Sequence, residues 1–151
     1  NAPGLFWCQP SAYHKGHHPD DELGPWGNLR HVKRVILIAQ MLSVAHEFSA
    51  LETDCLYSAM IINDICKHGL NGEFQKIQTK THADLIIKFI EPYISYIDEP
   101  SSKLIGRIAQ SHMGRWGTVQ PESDLELIGH YSDLLASRPQ VGLLAKLIGE
   151  N

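Results

Sequence analysis

The feature that most constrains the fold of this chain is a repeated three- and four-residue spacing of apolar side chains. The spacing is clearest between Asn28 and Phe48, where the apolar positions are Val32, Val35, Ile36, Ala39, Leu42 and Val44. Such spacing places the apolar residues on one face of an α-helix. We therefore predict a long first helix, from about Asn28 to Phe48, whose apolar face packs into a core.

The same criterion predicts further helices along the chain. The second runs from about Leu51 to Lys67, with Thr53 as its candidate cap and Gly69 as its stop. The remaining predicted helices span residues 81–92, 101–113, 123–137 and 141–149. Strand-like alternation never extends beyond a few residues. The sequence thus predicts an all-α fold, a bundle of five to seven helices.

The first 28 residues differ from the rest of the chain. They contain four of the eight prolines, several glycines and a cluster of three histidines, a composition typical of irregular structure. We expect residues 1–28 to form an irregular lead-in that covers the functional site, and residues 29–151 to form the helical domain. A length of 151 residues suits one domain overall.

Composition and charge limit the classes of partner. The longest apolar stretch, Val35 to Ala39, is far shorter than the ~20 residues of a membrane span, so we expect a cytoplasmic protein that does not enter membranes. A net charge of −4 and an isoelectric point near 6.1 argue against duplex nucleic acid as a partner. A small basic patch is expected from Arg30, Lys33 and Arg34. Small phosphorylated substrates remain compatible with this balance.

Polar residues occupy several positions at which helical spacing predicts core. His31, His82 and His112 each share a helix face with apolar residues three and four positions away. Asp64 interrupts the apolar run from Ala59 to Cys66. An ionised aspartate there would cost several kcal/mol unless a cation or hydrogen-bond donors compensate its charge. A positive group should therefore lie beside Asp64.

Two interpretations of these inward polar residues compete. For any single inward histidine, ordinary hydrogen bonding within the core is the commoner explanation. Three histidines and one aspartate from four different helices instead favour a shared site, because imidazole and carboxylate groups are the usual ligands of catalytic divalent metals. Asp133 stays open on pattern alone, since its helical neighbours are small or polar and would equally suit a solvated edge.

The order His31, Asn63-Asp64 and Asp133 resembles that of the HD superfamily of metal-dependent phosphohydrolases. That family has a histidine, a later His-Asp pair on the next helix and a distant aspartate. The resemblance extends from about residue 8 to residue 139, and the lead-in is similar to that of small bacterial and phage members. Its other matching segments are Ser111–Gly117, around His112, and Tyr131–Pro139, around Asp133.

The resemblance implies an HD-domain-like bundle that binds one or two divalent ions, with Mn, Fe, Ni, Co, Zn and Mg left open. Asp64 would be the central ligand and a catalytic residue. The first ion would also be held by His31, Asn63 and Asp133, and the second by His82 and His112. Such ions polarise a phosphate oxygen and lower the pKa of a bound water. The implied activity is hydrolysis of a phosphate ester, with a nucleotide as the favoured substrate.

Cationic side chains are the candidates for contact with substrate. Lys67 looks like the family lysine that supports the attacking or leaving group, although a solvated lysine at a helix end is an equal alternative. Cationic donors suit phosphate oxygens. The candidate phosphate contacts are Lys15, His17, His18, Arg30 and Arg115.

Asn63 is the one departure from the family pattern, because it replaces the histidine of the His-Asp pair. An amide oxygen ligates a hard cation but suits a transition metal less well than imidazole does. Three explanations stay open: a natural variant with a weaker ligand, an inactive relative kept for binding, or a substitution made to trap substrate. One alternative function is therefore a catalytically impaired module that binds a nucleotide or a partner. A second is a di-iron oxygenase of HD type, because the ligand set also resembles that of HD-fold proteins that hold two irons.

Overall fold

The structure, a computed structural model, describes residues 6–70 and 81–140. These residues form five α-helices, which are α1 (Gly27–Ser43), α2 (Ala50–Ile62), α3 (His82–Ile90), α4 (Glu99–Ser111) and α5 (Asp124–Ala136). Short 3₁₀ helices form at Phe6–Cys8, Asp20–Glu22, Glu91–Tyr96 and Gly114–Trp116. The described residues include no strand, so the all-α prediction is confirmed. The sixth predicted helix, residues 141–149, lies outside the described residues.

The helices pack around one core. Helix α1 contacts α2 and α5, while α4 contacts α2, α3 and α5. Fully buried side chains from these helices fill the centre, among them Val35, Leu56, Met60, Ile86 and Ile108. Within the part of the chain that the structure describes, no helix combines the length and the apolar character needed to cross a bilayer.

Helix α1 is shorter than its apolar pattern predicts. It ends at Ser43 rather than near Phe48, and Val44, which the pattern placed in the core, is 85% exposed. The chain must reverse direction here so that α2 can pack against α1. Residues 44–49 supply that reversal, and Phe48 still packs against the core from the connection. The apolar spacing of Val44 is therefore fortuitous.

Both ends of α2 also differ from the prediction. The cap is Ser49 rather than Thr53: its hydroxyl accepts a hydrogen bond from the amide of Glu52, whose carboxylate accepts from the Ser49 amide. This reciprocal pair is the Ser-x-x-Glu capping box. At the other end α2 stops at Ile62, and three-residue turns carry the chain to Gly69. Gly69 ends them in the left-handed region, with φ at +82°.

The segment before α1 is fixed to the start of that helix by backbone hydrogen bonds. The amide of Ser11 donates to the carbonyl of Glu22, and the amide of Asn28 donates to the carbonyl of Gln9. Gly27 permits the close approach, since a Cβ there would lie 2.0 Å from the Glu22 carbonyl oxygen. The lead-in is thereby held against the end of α1 that carries His31.

We predict that Ser49→Ala lowers the free energy of unfolding by about 1 kcal/mol, because the first turn of α2 loses its cap. Thr53→Ala is the matched control. Thr53 lies inside the helix and donates only to the Ser49 carbonyl, and the higher helix propensity of alanine offsets that lost bond. Urea denaturation measures both. Equal destabilisation by the two changes would contradict the assignment of Ser49 as the cap.

Candidate metal centre

Asp64 lies at the centre of a buried polar cluster, two residues beyond the end of α2. Lys67 donates to its Oδ2 at 2.8 Å, and His82 Nε2 lies 3.1 Å from its Oδ1. His31 Nε2 is 3.6 Å from Oδ2, and His112 Nε2 is 3.8 Å from Oδ1. Burial alone would raise the pKa of Asp64, but Lys67 and the histidines hold it well below its usual value. The carboxylate is therefore ionised.

The first group of possible ligands consists of His31, Asp64 and Asp133, whose ligand atoms lie within 4.8 Å of one another. His31 Nε2 is 3.0 Å from Asp133 Oδ1, while its Nδ1 is 3.1 Å from Glu22 Oε2. Burial would lower the pKa of His31, but its hydrogen bonds to Asp133 and Glu22 raise it to about 9. Helices α1 and α5 thus meet the end of α2 at this group.

The second group consists of Asp64, His82 and His112, again within 4.8 Å of one another. His112 directly follows the last residue of α4, and its Nδ1 donates to the carbonyl of Ala109 at 2.6 Å. Its Nε2 therefore carries the lone pair and faces His82 Nε2 at 3.0 Å. Burial lowers the pKa of His112. A neutral imidazole with a free Nε2 is the form that binds a metal ion.

Asn63 is fully buried beside the first group. Its amide nitrogen donates to Asp133 Oδ1 at 3.0 Å, and its amide oxygen has no hydrogen-bond partner among the described residues. Burying an unpaired amide oxygen is unfavourable, and a cation would satisfy it. Together with the carboxylates of Asp64 and Asp133, this donor set fits a divalent ion. The residues around Asp64 could therefore hold a metal.

A cavity of about 410 Å³ opens beside both groups. Asp64, Asp133, His82 and His112 line it, together with Lys67. Lys67 is largely buried rather than solvated, because its ammonium is paired with Asp64. The other lining residues include four polar ones, His17, His18, His130 and Arg138, and three largely apolar ones, Met113, Trp116 and Leu134.

The predicted phosphate contacts divide into two sets. His17 and His18 line the cavity. Lys15 does not; its exposed ammonium pairs with Asp20 at 3.9 Å. Arg30 donates to the backbone carbonyls of Asp21 and Pro25, and Arg115 lies over the ring of Trp116, 4.4 Å from its centroid. Lys15 and Arg30 are thus held by partners outside the lining of the cavity, whereas Arg115 lies on Trp116, which lines it.

The predicted basic patch around Arg30 does not form as expected, because Arg34 is buried. Its guanidinium pairs with the carboxylates of Asp21 and Glu22. Helical spacing gave no reason to place an arginine inside, since the acidic partners come from the irregular lead-in. A buried arginine is neutralised by partners that only the tertiary fold supplies.

Two further residues of the site were not predicted. Glu22 is completely buried and contacts His18 and His31. His130 lines the cavity and donates from Nδ1 to the carbonyl of His112 at 2.7 Å. Gly114 packs against its ring, because a Cβ there would lie 2.4 Å from the imidazole. The acidic run Asp20-Asp21-Glu22 beside His17 and His18 was the sequence signal available for Glu22.

Comparisons with known proteins identified no relative of this chain. No protein-family model matches the chain, and neither the curated proteins nor the solved structures gave a significant match. The chain's own residues therefore provide the indications of its function.

We predict that Asp64→Asn abolishes metal binding, because it removes the charge that both ligand groups share. With Mn²⁺ at about a hundred times its Kd, the unchanged protein should gain about 2.7 kcal/mol in free energy of unfolding, and the variant should gain none. Melting curves with Mn²⁺ and with chelator measure the difference. His17→Ala is the control, since this exposed side chain touches neither group. Absence of a gain in the unchanged protein would contradict the metal site.

Proposed function

We propose that this chain is a metal-dependent phosphohydrolase of the HD superfamily, acting on a phosphate ester and by preference on a nucleotide. The observation that carries the proposal is the position of Asp64. Its carboxylate belongs to two separate three-ligand groups and lines one cavity. If each group held an ion, Asp64 would be a ligand in both, and a pair of divalent ions would supply the charge stabilisation used in two-metal phosphoryl hydrolysis.

In this proposal His31, Asp64 and Asp133 hold the first ion, with the Asn63 amide oxygen as a further ligand. His82 and His112 hold the second ion together with Asp64. Divalent ions in such sites polarise phosphate oxygens and lower the pKa of a bound water. The identity of the ions, among Mn, Fe, Ni, Co, Zn and Mg, is left to experiment.

The cationic lining residues suit a phosphate group. Lys67 lines the cavity while paired with Asp64, so its ammonium can donate to a phosphate oxygen or to the leaving oxygen. Arg138 and His17 line the same cavity from exposed positions. Cationic donors of this kind bind phosphate through charge-assisted hydrogen bonds. These residues orient the phosphate beside Asp64.

The apolar lining residues suit an aromatic base, which is why a nucleotide is the favoured substrate. Trp116 is 40% exposed and lines the cavity with Met113 and Leu134. Arg115 stacks on the indole and holds the ring in place. Nucleobases stack on such aromatic side chains. Arg115 was predicted to contact phosphate. In this proposal it instead supports the Trp116 ring, on which the base stacks.

A panel of nucleoside mono-, di- and triphosphates and cyclic nucleotides, assayed with Mn²⁺ for phosphate release or ring opening, tests the activity. We expect hydrolysis of at least one class. Trp116→Ala should raise KM for that nucleotide about tenfold through loss of stacking, while KM for ribose 5-phosphate, which has no aromatic ring, stays unchanged. Trp116→Phe, which keeps an aromatic face, is the matched control. Equal effects on all substrates would refute the stacking role.

The same panel separates the alternative functions. A nucleotide that binds and is recovered intact would favour a catalytically impaired binding module. Turnover that requires dioxygen and two bound irons would favour an oxygenase. Either result would overturn the hydrolase proposal.

We predict that Asn63→His tightens Mn²⁺ binding about tenfold, equivalent to about 1.4 kcal/mol, and raises hydrolysis. An imidazole would replace an amide oxygen as the transition-metal ligand, and His31, Asp64 and Asp133 stay in place around it. Asn63→Ala is the control, since it removes both the amide oxygen and the hydrogen bond to Asp133. Calorimetric titration measures affinity, and phosphate release measures turnover.

The result for Asn63→His also distinguishes the explanations of this residue. A weak but working site should improve, and a site disabled to trap substrate should regain activity. A site that has lost function elsewhere should gain metal affinity without turnover. A histidine variant that binds metal no better would show that position 63 does not face the ion.

A further inference from the structure

The Glu22 carboxylate lies in a fully buried position between two histidines and an arginine. Its Oε2 is 2.7 Å from His18 Nδ1 and 3.1 Å from His31 Nδ1. Its Oε1 accepts a hydrogen bond from the guanidinium of Arg34. One carboxylate from the lead-in therefore contacts a histidine of the lead-in and a histidine of α1.

His18, Glu22 and His31 could be mistaken for a third metal site, because their ligand atoms also lie within 4.8 Å of one another. Arg34 argues against that interpretation. Its guanidinium already neutralises the carboxylate, and a metal ion would stand beside this buried positive charge. Both imidazoles, moreover, turn the same nitrogen, Nδ1, toward the same oxygen. The arrangement is that of a carboxylate that accepts hydrogen bonds.

An ionised carboxylate can only accept, so each imidazole facing it must donate from Nδ1. Glu22 is ionised, because its Oε1 is paired with the guanidinium of Arg34. A neutral imidazole protonated at Nδ1 carries its lone pair on Nε2. In this structure Nε2 of His31 donates to Asp133 Oδ1 at 3.0 Å and lies 3.6 Å from Asp64 Oδ2; a metal ion there would replace that proton, and because Glu22 holds the proton on Nδ1, Nε2 would be the ligating nitrogen.

We infer that Glu22 is a positioning residue that fixes the ring orientation and tautomer of two histidines at once. It directs Nε2 of His31 to the first ligand group, and it holds His18 by Nδ1 where that ring lines the cavity. Carboxylates that orient metal-binding histidines in this way strengthen ligation. The inference rests on the proposed metal centre, and it assigns the lead-in a part in building that centre.

The backbone around Glu22 is built to hold this position. The Glu22 amide donates to the Pro19 carbonyl, and the Glu22 carbonyl accepts from the Ser11 amide. The close contact with Gly27 fixes the same carbonyl against the start of α1. Arg34 further anchors the segment through Asp21, at 2.5 Å. The orientation of His31 is thus coupled to the packing of the lead-in.

The test is Glu22→Gln in the full chain. A glutamine has one acceptor oxygen and one amino group, so it cannot accept from Arg34 and both imidazoles at once. We expect Zn²⁺ affinity, measured by competition with a chromophoric chelator, to fall about 10- to 100-fold. Glu126→Gln is the matched control and should keep its affinity. Glu126 is 6% exposed and paired with Arg107, but it contacts no residue of the metal centre.

Several outcomes would overturn the inference. Unchanged affinity in Glu22→Gln, or equal loss in Glu126→Gln, would remove the positioning role while the metal centre stands. Loss of one whole equivalent of Zn²⁺, with the remaining affinity unchanged, would make Glu22 a ligand instead. Failure of the unchanged protein to bind Zn²⁺ would overturn the metal centre and the inference together.

A second measurement does not depend on how the variant folds. In the zinc-loaded unchanged protein, long-range ¹H–¹⁵N spectra should show His31 protonated at Nδ1 and metal-bound at Nε2. His18 should show the same Nδ1–H tautomer. A purely structural Glu22 would not fix both tautomers, and an Nε2–H signal from His31 would overturn the inference.

Discussion

The buried negative charge of Asp64 is the constraint on which the rest of the site depends. A carboxylate at this depth cannot stay ionised without compensation, and the fold supplies it from every side. Lys67 comes from the turns after α2, His31 from α1, His82 from α3 and His112 from the end of α4. The packing of the helices therefore compensates the charge of Asp64, and it also brings together the imidazole and carboxylate groups that commonly ligate divalent metals.

Helix endings matter as much as helix faces in this assembly. Asn63 and Asp64 lie where α2 gives way to tight turns, and His112 lies at the end of α4. The last backbone carbonyls of a helix have no partner within that helix. The Ala109 carbonyl instead accepts a hydrogen bond from His112 Nδ1, which fixes the orientation of the ring. An ion placed beside Asp64 would thus meet side chains whose orientations are already set.

The helices and the inward histidines could be predicted from the sequence because both depend on the spacing of apolar residues along the chain, and in a helix that spacing decides which side chains share a face. His31, His82 and His112 were each identified from apolar neighbours three and four positions away. Glu22 could not be found in this way, because its position depends on how an irregular segment packs against α1. The same reason explains Arg34, which helical spacing left on the surface. The cap at Ser49 was recoverable from its Ser-x-x-Glu pattern, whereas the early end of α1 was not.

The burial of Arg34 has a further consequence for the charge of the centre. Glu22, Asp64 and Asp133 would together place three carboxylates around His31. Because Arg34 neutralises Glu22, only Asp64 and Asp133 remain, and Lys67 offsets one of these. With these groups alone the net charge of the site is close to −1. One or two divalent ions would make it positive, which favours binding of an anionic phosphate. Glu22 can therefore orient its histidines without making the cavity repel the substrate proposed for it.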